Sequence, residues 1–287
     1  MATGERIWRM RDRRLDVADR TRVMGILNVT PDSFSDGGRY LDSDAAVRRG
    51  RDLLEQGADL LDIGGESTRP GAEEVPAEEE RKRVEPVVRA LRSAAPDALL
   101  SIDTSKASVA TTALNAGADI LNDVTAGRGD SDMLPLAAET GAGLVLMHMR
   151  GTPRTMQTAP RYDDVVAEVK RFLEERMAAA LEAGVAEEQL VLDPGIGFGK
   201  TLEHNLELIA RLSELSELGR PLLLGVSRKR WLGTITGRET PDRLAASLAG
   251  CAACIERGAH IMRVHDVIET CDTARVIDRI RKSSPIP

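Results

Sequence analysis

The sequence predicts an α/β fold of the (β/α)8 TIM-barrel type, and three observations support this prediction. Eight apolar runs of strand length recur along the chain, and a segment with helical spacing follows each run. Several helical segments end at a glycine just before the next run, and glycine is a common residue just past a helix end. Polar side chains stand where the runs end, which is where such barrels place their active sites. A doubly wound open sheet is the alternative fold.

The strand-like runs and the helical segments can be located along the chain. Apolar residues recur at intervals of three and four in residues 162–181 and in residues 244–255, as on one face of a helix. Strand, helix and glycine then repeat without an intervening linker or low-complexity segment. The eight runs begin near Val23, Leu60, Leu99, Asp119, Leu144, Leu190, Leu222 and Ile261.

A short, highly charged segment precedes the first run. Residues 1–22 form the predicted N-terminal extension, in which residues 7–8 and 15–17 are the strands of a possible β-hairpin. Residues 23–287 form the predicted barrel, as one domain. A length of about 250 residues is typical of a single barrel of this kind.

The composition disfavours several classes of protein. Hydrophobic residues make up 42% of the 287 residues and aromatic residues only 2%, which suits a parallel sheet covered by helices. A net charge of -7 disfavours a nucleic-acid partner, and no apolar run is long enough to span a membrane. Three cysteines and a charged N terminus without a secretory leader favour a cytoplasmic protein. The composition therefore disfavours nucleic-acid and membrane partners.

The first apolar run ends abruptly at Asn28, which is followed by a stretch rich in proline, aspartate, serine and glycine. A buried strand therefore leads into a long loop. A side-chain amide at such a strand end is a suitable ligand for Mg²⁺ that also carries phosphate oxygens. Asn28 is accordingly the first candidate site residue.

The polar residues at the later strand ends fall into two chemical groups. One group is cationic and suits an anion with several oxygens, and two of its members lie two residues apart on a strand and so point to the same side. The other group offers carboxylate and amide oxygens, which can accept parallel hydrogen bonds from the edge of a flat heterocycle. The first group is Lys229, Arg263 and His265, and the second is Asp103, Asn122 and Asp193.

Eight sequence motifs at these strand ends resemble those of the dihydropteroate synthase family, in the same order. The resemblance covers about residues 23–282. The motifs are NVTPDSFSDGG from Asn28, DIGGESTRPGA from Asp62, SIDTSK from Ser101, NDV from Asn122, LMHMRG from Leu146, LDPGIGFGK from Leu192, VSRK from Val226 and RVHDV from Arg263.

The resemblance implies a transferase of folate biosynthesis, of the kind that sulfonamides inhibit. Such an enzyme condenses the pyrophosphate ester of 6-hydroxymethyl-7,8-dihydropterin with p-aminobenzoate, giving 7,8-dihydropteroate and pyrophosphate. The resemblance further implies a dissociative reaction, Mg²⁺ as the cofactor and a homodimer.

The resemblance also implies roles for individual residues. Asn28 would bind the metal. The pterin would be held by Asp103, Asn122, Asp193 and Lys229, and the pyrophosphate by Asn28, Arg263 and His265. The residues expected to act in catalysis are Lys229, Arg263, His265 and Asp103. The loops around p-aminobenzoate would contribute Thr68, Arg69, Pro70, Phe34 and Asp36.

Some assignments stay open at this point. His148 stands at a strand end and is as suited to packing as to the site, whereas Asp62 and Glu66 are expected to orient the second loop through backbone hydrogen bonds. Arg230 stands where many family members have serine. Replacing Lys229 or Arg263 by alanine should nearly abolish pyrophosphate release and leave the fold intact.

Two rival functions are compatible with a pterin-binding barrel. A pterin-dependent methyltransferase would share the pterin carboxylate and amide but would not need the three cations. A non-catalytic paralogue would be expected to have lost one of those cations or Asn28, and all four are present.

Overall fold

The computed structural model describes residues 6–30, 39–67, 71–152, 154–240 and 242–283, with side chains omitted for residues 39–42. Within these ranges a two-stranded antiparallel sheet precedes an eight-stranded parallel sheet. The strands are β1 (Ile7–Met10), β2 (Arg13–Asp16), β3 (Arg22–Asn28), β4 (Leu60–Gly64), β5 (Leu99–Asp103), β6 (Ile120–Asp123), β7 (Gly143–Met147), β8 (Leu190–Asp193), β9 (Leu223–Leu224) and β10 (Ile261–Val264).

Helices alternate with the parallel strands. The helices are α1 (Arg39–Glu55), α2 (Ala77–Ala94), α3 (Ala107–Ala116), α4 (Met133–Thr140), α5 (Val165–Glu182), α6 (Leu202–Ala210), α7 (Arg230–Thr236), α8 (Leu244–Glu256) and α9 (Val267–Ser283). No helix in the part of the chain that is described is long and apolar enough to cross a bilayer.

The parallel sheet closes on itself as a barrel. Its strands follow the order β8-β7-β6-β5-β4-β3-β10-β9. A parallel bridge between Leu192 and Leu222 joins the two edges, and the amide of Leu192 donates to the carbonyl of Pro221 at 2.9 Å. The predicted (β/α)8 fold is therefore confirmed, and the open sheet is excluded.

Each barrel strand alternates between an outer and an inner face, as the period of two requires. The outward residues pack beneath the helices in the main core cluster. The first inward layer is apolar in all eight strands, and it forms a second, separate cluster. Its members are Met24, Leu60, Leu99, Ile120, Val145, Val191, Leu223 and Ile261.

The predicted N-terminal hairpin is present, and it covers the end of the barrel where the parallel strands begin. Trp8 and Met10 are fully buried against the first inward layer, together with Val17. The indole nitrogen of Trp8 donates to the carbonyl of Gln189 at 2.8 Å. The hairpin therefore fills the barrel end that lies away from the C-terminal strand ends.

We expect Trp8→Ala to lower the free energy of unfolding by about 3–5 kcal/mol, the usual cost of truncating a buried aromatic residue. The control is Leu181→Ala on α5, where the leucine side chain is 44% exposed. Urea denaturation measures both. If both variants lowered the free energy of unfolding by the same small amount, the hairpin would contribute little to the barrel core.

Candidate active site

The second inward layer of the barrel is polar, in contrast to the first. It consists of the residues two positions further along each strand, so period-two alternation places their side chains on the inner face. Five of these eight residues have polar or charged side chains that can form hydrogen bonds or ion pairs. The layer is Ile26, Asp62, Ser101, Asn122, Met147, Asp193, Gly225 and Arg263.

Arg263 joins two carboxylates across the barrel. Its Nε donates to Oδ2 of Asp62 at 2.6 Å, and its Nη2 donates to Oδ2 of Asp103 at 2.7 Å. Burial opposes the charge, but the two carboxylates outweigh burial and raise the pKa of the guanidinium. Arg263 is therefore a fixed cation at the centre of the predicted site.

Asp62 has a role that sequence reasoning missed. Its carboxylate is fully buried and accepts from Ser101 Oγ at 2.6 Å and from Asn122 Nδ2 at 2.9 Å, besides the bond from Arg263. The expectation that Asp62 orients the loop backbone is therefore wrong, because its partners are side chains inside the barrel. Its position two residues after Leu60, on the inward face, was the available signal.

Asp103 presents an unused acceptor to the interior. Its Oδ1 is buried and has no hydrogen-bond partner among the described residues, while Oδ2 is held by Arg263. Burial raises the pKa of Asp103 to about 7, and Arg263 partly opposes this. A buried acceptor without a partner costs free energy, so this oxygen is suited to an N–H of a bound ligand.

Asp193 and Lys229 form the second charged pair of the site. Asp193 Oδ1 accepts from the amide of Gly195 at 2.7 Å, and burial raises the pKa of Asp193. The Lys229 ammonium lies 4.1 Å from the ring centroid of Phe198. Burial lowers the pKa of Lys229 to about 8, although the charge of Asp193 favours the protonated form.

A small apolar wall borders these polar groups. Val124, Met147, Met149 and Met156 are buried in one cluster, and Phe198 packs against it. A flat ring could lie against this wall with its edge toward the carboxylates.

His265 stands in the next inward position after Arg263 and contacts the neighbouring strand end. Ser227 Oγ lies 3.1 Å from His265 Nδ1, and the His265 amide donates to the same oxygen at 3.3 Å. Arg228 has a left-handed backbone, with φ of 58°, and its guanidinium pairs with both oxygens of Asp266. The loops that carry Lys229 and His265 are thus tied together.

Asn28 lies at the end of β3 beside the carboxylate cluster. Parallel register places it next to Gly64, which in turn pairs with Asp103. A Cβ built on Gly64 would lie 3.9 Å from Asn28 Oδ1 and 3.8 Å from Asp103 Oδ2, so both oxygens face the same space. The seven predicted strand-end residues are therefore distributed around one barrel mouth.

The predicted loop residues Phe34, Asp36, Thr68, Arg69 and Pro70 lie outside the described residues.

The stem of the second loop is described. Glu66 Oε1 accepts from the amide of Val75 at 3.0 Å, as its expected loop-orienting role requires. Lys106 bonds the other Glu66 oxygen and also donates to the fully buried Glu80 at 2.6 Å.

A cavity of about 740 Å³ lies at the opposite end of the barrel, against the hairpin. Two arginines that line this cavity donate hydrogen bonds to backbone carbonyls. Arg13 donates to the carbonyl of Pro96 at 2.7 Å, and Arg92 donates to the carbonyl of Gly117 at 2.8 Å. Asp119 pairs with both guanidinium groups. These contacts pair the charged groups Arg13, Arg92 and Asp119 of this cavity with one another or with backbone.

We expect Gly195→Ala to lower the free energy of unfolding by about 3 kcal/mol or more, because a side chain here is both strained and overpacked. Gly195 has φ of 67°, and an added Cβ would overlap the carbonyl oxygen of His148. Gly219→Ala is the matched control, since its φ is 74° and its added Cβ meets nothing within 4 Å. Thermal unfolding distinguishes the two, and equal losses would refute the close approach.

Comparisons with known proteins show which family this chain belongs to. The sequence model of the family described as "Pterin binding enzyme" matches residues 24–265. A dihydropteroate synthase of Escherichia coli K12 is 49% identical over 256 residues, which is 89% of this chain and 90% of that protein. A dihydropteroate synthase of Synechocystis is 45% identical over 266 residues, which is 92% of either protein.

Solved structures of dihydropteroate synthases also resemble this chain in fold and sequence. A Xanthomonas albilineans dihydropteroate synthase with 4-aminobenzoic acid has a TM-score of 0.89 and 50% identity, covering 97% of this chain and 100% of that one. The same enzyme in complex with 7,8-dihydropteroate has a TM-score of 0.86 and 48% identity, covering 96% of this chain and 100% of that one. This chain therefore belongs to the pterin-binding enzyme family, and within it to the dihydropteroate synthases.

Proposed function

We propose that the polar inward layer performs dihydropteroate synthesis with the residue roles given below. The protein is a transferase of folate biosynthesis that condenses 6-hydroxymethyl-7,8-dihydropterin pyrophosphate with p-aminobenzoate to 7,8-dihydropteroate and pyrophosphate. One observation carries the assignment of roles. The Asp103 oxygen that has no hydrogen-bond partner within the described ranges lies in the same space as the guanidinium of Arg263, as a ring donor and its anionic leaving group require.

The pterin ring is bound through its hydrogen-bonding edge. Asp103 Oδ1 accepts from one ring N–H group, and Asp193 accepts from another part of the same edge. Asn122 donates its amide nitrogen to Asp62, which leaves its amide oxygen as a further acceptor. Lys229 donates to a ring acceptor from its position over Phe198. The apolar wall supports one face of the ring.

The reaction breaks the bond between the pterin CH₂ carbon and a pyrophosphate oxygen, and the electron pair leaves with that oxygen. Arg263, His265 and Lys229 attract the negative charge that develops there. The CH₂ carbon becomes cationic by delocalisation into the ring, and Asp103 and Asp193 favour that charge. The amine nitrogen of p-aminobenzoate then forms the new C–N bond and loses one proton.

Mg²⁺ fits this site as an ion that enters with the substrate. No group of three metal-ligating side chains of the His, Cys, Asp or Glu type occurs among the residues with described positions. Mg²⁺ commonly takes one or two protein ligands together with substrate phosphates and water. Asn28 would be its protein ligand, and the ion would add positive charge opposite the leaving pyrophosphate.

The p-aminobenzoate site is assigned to the two loops that follow β3 and β4. Its proposed residues are Phe34, Asp36, Thr68, Arg69 and Pro70. Arg230 is exposed at the first position of α7, directly after Lys229, and its guanidinium is available to a carboxylate. Support for a benzoate ligand comes from the Xanthomonas structure that contains 4-aminobenzoic acid.

We also propose a cytoplasmic homodimer. Exposed apolar side chains on two of the outer helices support self-association: Ile235 of α7 is 54% exposed, and Val276 and Ile280 of α9 are 58% and 51% exposed. Light scattering of the purified chain should give twice the monomer mass, and a monomer at micromolar concentration would refute the dimer.

The decisive experiment mixes both substrates and follows pyrophosphate and dihydropteroate, with and without Mg²⁺. We expect equal amounts of the two products and faster turnover with Mg²⁺. The rival methyltransferase is tested in parallel with methyltetrahydrofolate as the methyl donor. Methyl transfer without dihydropteroate formation would contradict the proposal, and binding of pterin without any turnover would indicate a non-catalytic protein.

A further inference from the structure

Lys200 is a buried cation that the roles given above leave unused. It ends the turn between β8 and α6 and is only 3% exposed. Its Nζ lies 2.8 Å from His148 Nδ1, 2.9 Å from the carbonyl of Gly195 and 3.1 Å from the carbonyl of Phe198. Three acceptors surround the nitrogen, as the three N–H bonds of an ammonium group require.

His148 is built to serve as one of those acceptors. The imidazole is 4% exposed and packs edge-on against Phe172, with ring centroids 4.8 Å apart. Burial, together with the charge of Lys200, lowers the pKa of His148 to about 2. A neutral imidazole has one unprotonated nitrogen, and Nδ1 in that state can accept from Lys200.

The two carbonyls that Lys200 holds belong to the turn that shapes the site. The amide of Gly195 donates to Asp193, and its carbonyl accepts from Lys200. The Phe198 carbonyl accepts from Lys200, and the ring of the same residue lies beneath the Lys229 ammonium. One buried nitrogen thus fixes the backbone at Gly195, which bonds Asp193, and at Phe198, whose ring contacts Lys229.

The neighbouring side chains secure the remainder of the turn. Gln157 donates to the carbonyl of Gly197 at 2.7 Å, and Tyr162 donates to that of Gly199 at 2.8 Å. Asn205 accepts from the amide of Gly197 at 2.6 Å. These bonds hold other peptide groups of the turn, while Lys200 holds the carbonyls of Gly195 and Phe198.

The ammonium group also contributes to the charge balance around Asp193. Burying an ammonium is unfavourable, and burial lowers the pKa of Lys200 well below its usual value, while Asp193 opposes this. Lys229 and Arg150 add repulsion. The charged groups that act on Asp193 from the surrounding elements are Lys200, Lys229 and Arg263, and Cys254 of α8 is also close enough to interact.

We propose that Lys200 is a positioning residue for pterin binding. It holds Asp193 and the Phe198 platform of Lys229 in place, and its charge keeps Asp193 ionised as the acceptor for ring N–H groups. This inference rests on the proposed function, because it assigns Asp193 and Lys229 to the pterin.

The test compares two substitutions of Lys200 in the full-length enzyme. Lys200→Gln keeps two N–H donors for the carbonyls and removes the charge, whereas Lys200→Met removes both. Lys82→Met is the matched control, since Lys82 on α2 has a side chain that is 57% exposed. Steady-state kcat and KM for each substrate are measured from about pH 5 to about pH 9, on both sides of neutral pH, near which catalytic acids and bases work best.

Lys200→Met should raise KM for the pterin substrate about tenfold to a hundredfold, the usual loss for a hydrogen bond to a charged group, and change KM for p-aminobenzoate much less. Lys200→Gln should raise KM for the pterin substrate by a smaller factor. In both variants the acid limb of kcat/KM should move to higher pH, because loss of a nearby cation raises the pKa of Asp193.

A folded Lys200→Gln enzyme with an unchanged pterin KM and an unchanged acid limb would overturn the inference. If Lys200→Met fails to fold, the pterin KM and the pH dependence of kcat/KM of Lys200→Gln are sufficient to test the inference. Absence of dihydropteroate formation by the wild-type enzyme in the same assay would instead refute the proposed function.

Discussion

Arg263→Ala is expected to abolish product formation and to destabilise the fold as well. The substitution leaves Asp62 and Asp103 in the barrel without their cation. Breaking a buried ion pair in this way costs about 3–5 kcal/mol of stability. Removing a cation that stabilises transition-state charge should lower kcat by about a hundredfold to a thousandfold or more. The earlier expectation of an intact fold is thereby revised, because sequence could not show these two carboxylate partners.

Stability and activity can be separated for Arg263. Arg275→Ala on α9 is the control, since its side chain is 75% exposed and pairs only with the exposed Asp272 in the described contacts. It should change stability by less than about 1 kcal/mol. Adding Asp62→Asn to Arg263→Ala removes one unpaired charge and should restore part of the stability without restoring turnover. Wild-type turnover by Arg263→Ala would contradict the assignment of its role.

Lys229→Met is expected to be nearly inactive and to stay folded. The Lys229 ammonium rests on the Phe198 ring and interacts with Asp193 through charge, and methionine can fill much of the same apolar space. We expect kcat/KM for the pterin substrate to fall by about a thousandfold, a loss of roughly 4 kcal/mol in transition-state binding. Lys82→Met is again the control. A variant with near-normal kcat/KM and normal stability would show that Lys229 does not contact the reacting substrate.

The charge of Lys229 also gives a prediction for pH. Burial lowers the pKa of Lys229 to about 8, so the side chain is protonated below that pH and loses its charge above it. Activity should therefore decline as pH rises through about 8. In Lys229→Arg the guanidinium stays charged throughout this range, so any remaining activity should show no such decline. A basic limb that is identical in both enzymes would assign it to another group.

Much of the fold follows from local sequence patterns. Each predicted run begins within one residue of the start of an observed barrel strand. This agreement is expected, because apolar runs bounded by turn residues are a local signal. The hairpin in residues 7–16 was predicted as well. The ends of the predicted strands also identified Asn28, Asp103, Asn122 and Asp193 as candidate site residues, because parallel strands end at the same side of a barrel.

The partners within the site were less accessible to sequence reasoning. Arg263 reaches Asp62 across 201 residues of chain, and Lys200 reaches His148 across 52. Such pairs depend on barrel closure and on side-chain direction, which no local pattern specifies. For Asp62 a local signal was available, because its period-two offset from Leu60 indicates the inner face, but its side-chain partners were missed.

The most direct test is a crystal structure of the enzyme with 6-hydroxymethyl-7,8-dihydropterin pyrophosphate. The account predicts the ring edge against Asp103 and Asp193, and the pyrophosphate at Arg263, His265 and Asn28, within one barrel mouth. A ring bound away from both carboxylates, or a pyrophosphate at the hairpin end, would contradict it.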